Sequence, residues 1–77
     1  MSYIITKNLI DETLHIRTKK QEQEYPYFFE LSDGDDKPYY QGYSSISNSF
    51  EPVDGLGSVT GCVTIKYLSA NGNLEKL

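Results

Sequence analysis

The run from Tyr27 to Tyr43, YFFELSDGDDKPYYQGY, constrains this chain more than any other stretch. Its arms alternate with a period of two, the signature of half-buried strands. Tyr27, Phe29 and Leu31 fall on one face of the first arm, and Phe28, Glu30 and Ser32 on the other. In the second arm Tyr39, Gln41 and Tyr43 face one way, and Tyr40, Gly42 and Ser44 the other. Between the arms lies Asp33-Gly34-Asp35-Asp36-Lys37-Pro38, a dense cluster of turn formers. The run reads as a β-hairpin, with Gly42 marking a bulge or a close backbone approach.

A lone hairpin is marginal in water, so other strands must join it. Residues 3–9 are rich in β-branched and aromatic types and read as a strand. Residues 10–13 read as a turn in which Asp11 supplies the turn chemistry. Residues 14–20 alternate again, with Leu14, Ile16 and Thr18 opposite His15, Arg17 and Lys19. A first hairpin over 3–20 follows, with a helix over 7–14 as the competitor because Ile10 and Leu14 are one helical turn apart. Residues 20–24 are polar and read as a connection or a frayed strand end, and Pro26 suits a strand start or an edge. Residues 44–49 suit an irregular connection or a weak edge strand, and 54–58 (DGLGS) read as a glycine-rich loop. Residues 62–68 form the clearest strand, and Asn71-Gly72 turns the chain into a short final one. The expected fold is mainly β: an antiparallel meander of about five to six strands, as a curled sheet or a small barrel or sandwich, with little or no helix.

Seventy-seven residues make one small domain, spanning residues 1–77. A single cysteine, Cys62, excludes an internal disulfide, and a single histidine, His15, leaves a zinc site short of ligands. Stability must come from packing, to which seven Tyr and three Phe contribute large areas, or from self-association. The lone Cys and the absence of a signal-like opening imply a reducing, cytoplasmic setting.

The net charge is −4 and unevenly placed. Residues 30–54 carry Glu30, Asp33, Asp35, Asp36, Glu51 and Asp54 against Lys37 alone. That acidity argues against direct nucleic-acid binding, which needs a basic track, and suits a basic protein surface.

No catalytic constellation emerges. Gly55-Leu56-Gly57 lacks the third glycine of a dinucleotide loop and the Lys-Ser/Thr of a P-loop. Asp33, Asp35 and Asp36 lack the later bidentate acid of a calcium loop. Nothing places His15 beside Cys62, and Ser44, Ser45, Ser47, Ser49 and Ser58 sit outside any nucleophile elbow. The chain is therefore expected to be no enzyme and to need no cofactor or metal.

The aromatic count is more informative. If Phe29 and Tyr39 point inward, Phe28 and Tyr40 need a second layer or a partner, and Tyr43 is a further candidate beside them. Rimmed by Glu30, Asp33, Asp35 and Asp36, they form the candidate protein-binding patch. The function expected is that of a small acidic protein that binds another protein with a basic surface. One version inhibits a nucleic-acid-handling enzyme, as a phage-encoded anti-defence factor would. The alternatives are a β domain that binds a small ligand or cation at the 33–36 tip or the 54–61 loop, and a homodimer.

Overall fold

The computed structural model describes residues 2–77, apart from the side chains of Ser58 and Val59. The fold is mainly β, with six antiparallel strands in one open sheet and two short helices. The strands are β1 (Tyr3–Asn8), β2 (Thr13–Leu14), β3 (Tyr27–Ser32), β4 (Pro38–Ser44), β5 (Thr64–Leu68) and β6 (Leu74–Lys76). They lie in the order β2-β1-β4-β3-β5-β6, so the β3–β4 hairpin occupies the middle and every other strand adds outward from it.

The central hairpin turns where its sequence demands. The Asp33 carboxylate accepts the backbone N–H groups of Asp35 and Lys37, each at 2.9 Å. Asp36 takes a left-handed conformation, with φ at 66°. Between Leu31 and Ser32 the register slips: Leu31 faces Tyr40, yet Ser32 faces Pro38, leaving Tyr39 as an extra residue on β4. The register places Tyr40, Gly42 and Ser44 on the face shared with Phe29 and Leu31. Tyr39, Gln41 and Tyr43 therefore do not line one face together.

The core lies on that face. Phe29, Leu31, Ile65, Tyr67 and Cys62 are buried, with Tyr3, Ile5, Tyr39, Tyr40, Val53 and Leu56 packed around them. Phe29 meets Tyr3 edge-on at 6.2 Å and Tyr67 at 6.0 Å. The lid is a helix, α2 (Glu51–Thr60). This corrects the reading of residues 54–58 as a loop. Intrinsic propensity disfavours a helix containing Gly55 and Gly57, and packing overrides it. Pro52 is fully buried at the start of the helix, and the Ser49 hydroxyl accepts the Glu51 N–H at 3.2 Å. A Cβ on Gly57 would stand 2.7 Å from the Cys62 carbonyl oxygen. The helix stops at Gly61, whose φ is 80°. Gly57→Ala is therefore expected to destabilise the protein by about 1–2 kcal/mol, although alanine normally favours a helix. A thermal melt of the variant checks the sign.

The first hairpin is shorter than its alternation suggests. β2 contributes two residues paired to Lys7 and Asn8, while Leu14 and Ile16 stand 68% and 78% exposed. The residues read as a polar connection instead form α1 (Lys19–Glu24). Its signal is local: the Thr18 side chain accepts the Gln21 N–H, and the Gln21 side chain accepts the Thr18 N–H. This capping box satisfies backbone donors that a six-residue helix with no buried residue would otherwise leave to water.

Candidate protein-binding face

α2 covers one face of the sheet, and the register defines the other. Ile4 pairs with Tyr43, and Tyr43 pairs with Phe28. One residue beyond the Phe29–Tyr67 pair, the β3–β5 register sets Leu68 beside Phe28, and Leu68 pairs with Leu74. Five apolar side chains from five strands thus form one row across the uncovered face, roughly 19 Å long at the usual strand spacing. Phe28 and Tyr43 meet edge-on at 5.3 Å, and Leu68 and Leu74 are exposed. A parallel polar row consists of Lys7, Gln41, Glu30, Lys66 and Lys76. Within it, the Gln41 side-chain amide donates to Glu30 at 2.9 Å.

The sequence-expected site residues divide. Phe28, Glu30 and Tyr43 share this face, whereas Tyr40 belongs to the core side because Tyr39 is the extra residue. The three tip aspartates have separate roles. Asp33 is committed to its own backbone. Asp36 reaches back to Lys66 at 2.6 Å and ties the tip to β5. Asp35 is exposed. Among the described residues, no group of three His, Cys, Asp or Glu side chains converges as a metal site requires.

Ile4, Leu68, Leu74, Lys7, Lys66 and Lys76 join the face without having been expected there. The alternation of residues 62–68 was visible, but which strand would lie beside Phe28 depends on the strand order. Arg17 also arrives from outside the sheet. Its guanidinium lies 3.4 Å from the Tyr43 ring centroid, in cation–π geometry, and donates to the Tyr25 carbonyl at 2.7 Å. The connection between β2 and β3 is thereby pinned over one end of the apolar row.

Beside that contact lies a cleft of about 230 Å³, walled by Tyr43, Ile16, His15, Arg17 and Glu22. A second, of about 390 Å³, lies near the β5–β6 end, between Tyr27, Asn48, Ser69 and Leu77. The first is smaller than typical ligand pockets, and the second lies at their lower limit. His15 faces the first cleft, on the uncovered side, while Cys62 is buried on the core side, so the sheet separates them. The 54–61 segment, expected as a loop that could hold a ligand, is mostly the α2 lid.

Two titrations follow from the tip. The backbone N–H of Lys37 is the largest influence holding the Asp33 carboxyl below its ordinary value of 3.8, with Tyr39 adding to it. Interaction with Asp33 in turn raises the Tyr39 phenol. A depressed folded-state acid adds stability above its unfolded value and loses it as pH falls through the folded value. Asp33→Asn is therefore expected to flatten the acid side of the stability profile below about pH 4. Urea midpoints measured across that range test it. The Asp36–Lys66 pair has one end largely withdrawn from solvent, since the Lys66 side chain is 19% exposed. Asp36→Ala is expected to cost about 1–2 kcal/mol, more than a fully exposed pair. The measurement is a denaturation midpoint at low and high salt, with the loss shrinking at high salt.

Comparison with protein-family models finds no match, and comparisons with curated proteins and with solved structures find none either. Among the described residues, no helix is long and apolar enough to cross a membrane.

Proposed function

We propose that this chain is a non-catalytic protein that acts by binding another protein through the uncovered face of its sheet. The observation that carries the reading is the apolar row Ile4–Tyr43–Phe28–Leu68–Leu74. Phe28 and Tyr43 meet edge-on, Ile4 pairs with Tyr43, and the Leu68–Leu74 end is open to solvent. Exposed apolar rows bordered by polar residues mark interaction surfaces. The exposed cations Lys7 and Lys76 stand at the two ends of the neighbouring polar row. They favour a partner that presents an apolar ridge bordered by acids. This differs from the basic partner expected from the acidic middle of the sequence. The reason is that Asp33 is committed to the turn and Asp36 to Lys66, which leaves Asp35 as the free acid of the tip.

The test is capture of a partner by immobilised wild-type chain, set against Leu68→Glu and Asp35→Asn. Leu68 lies at the exposed end of the row, so its replacement perturbs the face more than the fold. Loss of the partner with Leu68→Glu and its retention with Asp35→Asn is the expected result. Retention with Leu68→Glu and loss with Asp35→Asn moves the contact to the hairpin tip and sinks the reading.

A further inference from the structure

We propose that Asn71 is a site of spontaneous deamidation through a cyclic imide, and that the product loosens β6. Asn71 and Gly72 both lie on the surface, in the turn between β5 and β6. The side-chain carbonyl oxygen of Asn71 accepts from the Ser69 hydroxyl and from the Asn73 N–H, the latter at 3.2 Å. Donors aimed at a carbonyl oxygen stabilise the negative charge that develops there when a nucleophile attacks its carbon. The nucleophile is the next backbone nitrogen. It belongs to Gly72, which has no Cβ to obstruct the approach.

In the reaction the Gly72 nitrogen gives up its proton to hydroxide and bonds to Asn71 Cγ. The Cγ–Nδ2 bond then breaks, and Nδ2 leaves as ammonia after taking a proton from water. This closes a five-membered imide. Water opens the ring at either carbonyl. Attack at Cγ yields aspartate, and attack at the main-chain carbonyl yields isoaspartate, which carries an extra methylene in the backbone. In the folded turn the Gly72 N–H donates to the Ser69 carbonyl at 3.0 Å, and this one bond must open before ring closure. Opening is easy here, because every residue from 70 to 77 is exposed and β6 has three residues. The backbone insertion falls three positions before Leu74, whose pairing with Leu68 begins the strand.

The experiment incubates the full chain at a series of pH values and maps its peptides by mass spectrometry with an isoaspartate-specific readout. Conversion at Asn71 is expected to run about tenfold faster than at Asn8, Asn48 or Asn73, which precede Leu9, Ser49 and Leu74. It should give both aspartate and isoaspartate and accelerate with pH. Amide hydrogen exchange of residues 74–76 should be faster in the aged fraction, and Asn71→Gln should abolish both changes. Conversion no faster than at Asn48, aspartate without isoaspartate, or unchanged exchange in β6 would each overturn the proposal.

Discussion

Gly42→Ala is expected to destabilise this protein by about 3–5 kcal/mol, at the top of the range for single substitutions. A Cβ at this position would stand 2.1 Å from the carbonyl oxygen of Ile4 and 2.9 Å from the tip of the Phe29 ring. The first obstacle is backbone on a paired strand and has no rotamer to change. Either β1 separates from β4 or β4 bends, and both break the middle of the sheet. A chain of this length has a total stability of roughly 4–12 kcal/mol. The variant should therefore melt far below the wild type or be unfolded at room temperature. Far-ultraviolet circular dichroism with a urea titration reads the result, and a loss under 1 kcal/mol would contradict the close approach.

Phe29→Ala is expected to cost a similar amount, about 3–5 kcal/mol, for the opposite reason. The ring is fully buried, meets Tyr3 and Tyr67, and lies over the space that Gly42 leaves open. Its removal leaves a void bounded by two tyrosine rings and by backbone that cannot collapse freely. The two positions face each other across the central strand pair, so their effects should not add. In the double variant the missing ring relieves the alanine's contact with Phe29 but not its contact with the Ile4 carbonyl. A partial rescue is expected, and denaturant midpoints of the four chains measure it. Full rescue would place the whole cost of Gly42→Ala on the ring.

What the sequence discloses about this fold follows the range of the interactions. The β3–β4 hairpin is legible because the Asp33 carboxylate and the flanking alternation act over a few residues. The α1 capping box was equally local, yet the alternation from Leu14 to Lys19 competed with it and suggested strand. α2 was not legible, because a helix containing Gly55 and Gly57 is stabilised by what it covers. Alternation counted from an inward Tyr39 puts Tyr40 on the outer face; Tyr39 is instead the extra residue, so the inward positions of β4 are Tyr40, Gly42 and Ser44. Three residues of the candidate face, Phe28, Glu30 and Tyr43, are legible in the hairpin sequence. Six more come from β1, β5 and β6, and depend on a strand order that pairs residues far apart in the chain.

That strand order also governs how the chain acquires its structure in time. Among the described residues, the two middle strands are the only neighbours in the interior of the sheet joined by a short turn. β1 must close a loop of some 35 residues to reach β4, and β5 a similar one to reach β3. Loop-closure entropy makes such pairings late, and a topology rich in them folds in milliseconds to seconds. Asp33→Ala should therefore slow refolding by nearly its full effect on stability, whereas Ile5→Val should mainly accelerate unfolding. Stopped-flow chevrons of the two variants would show it. The reverse assignment would mean that the outer strands nucleate the chain.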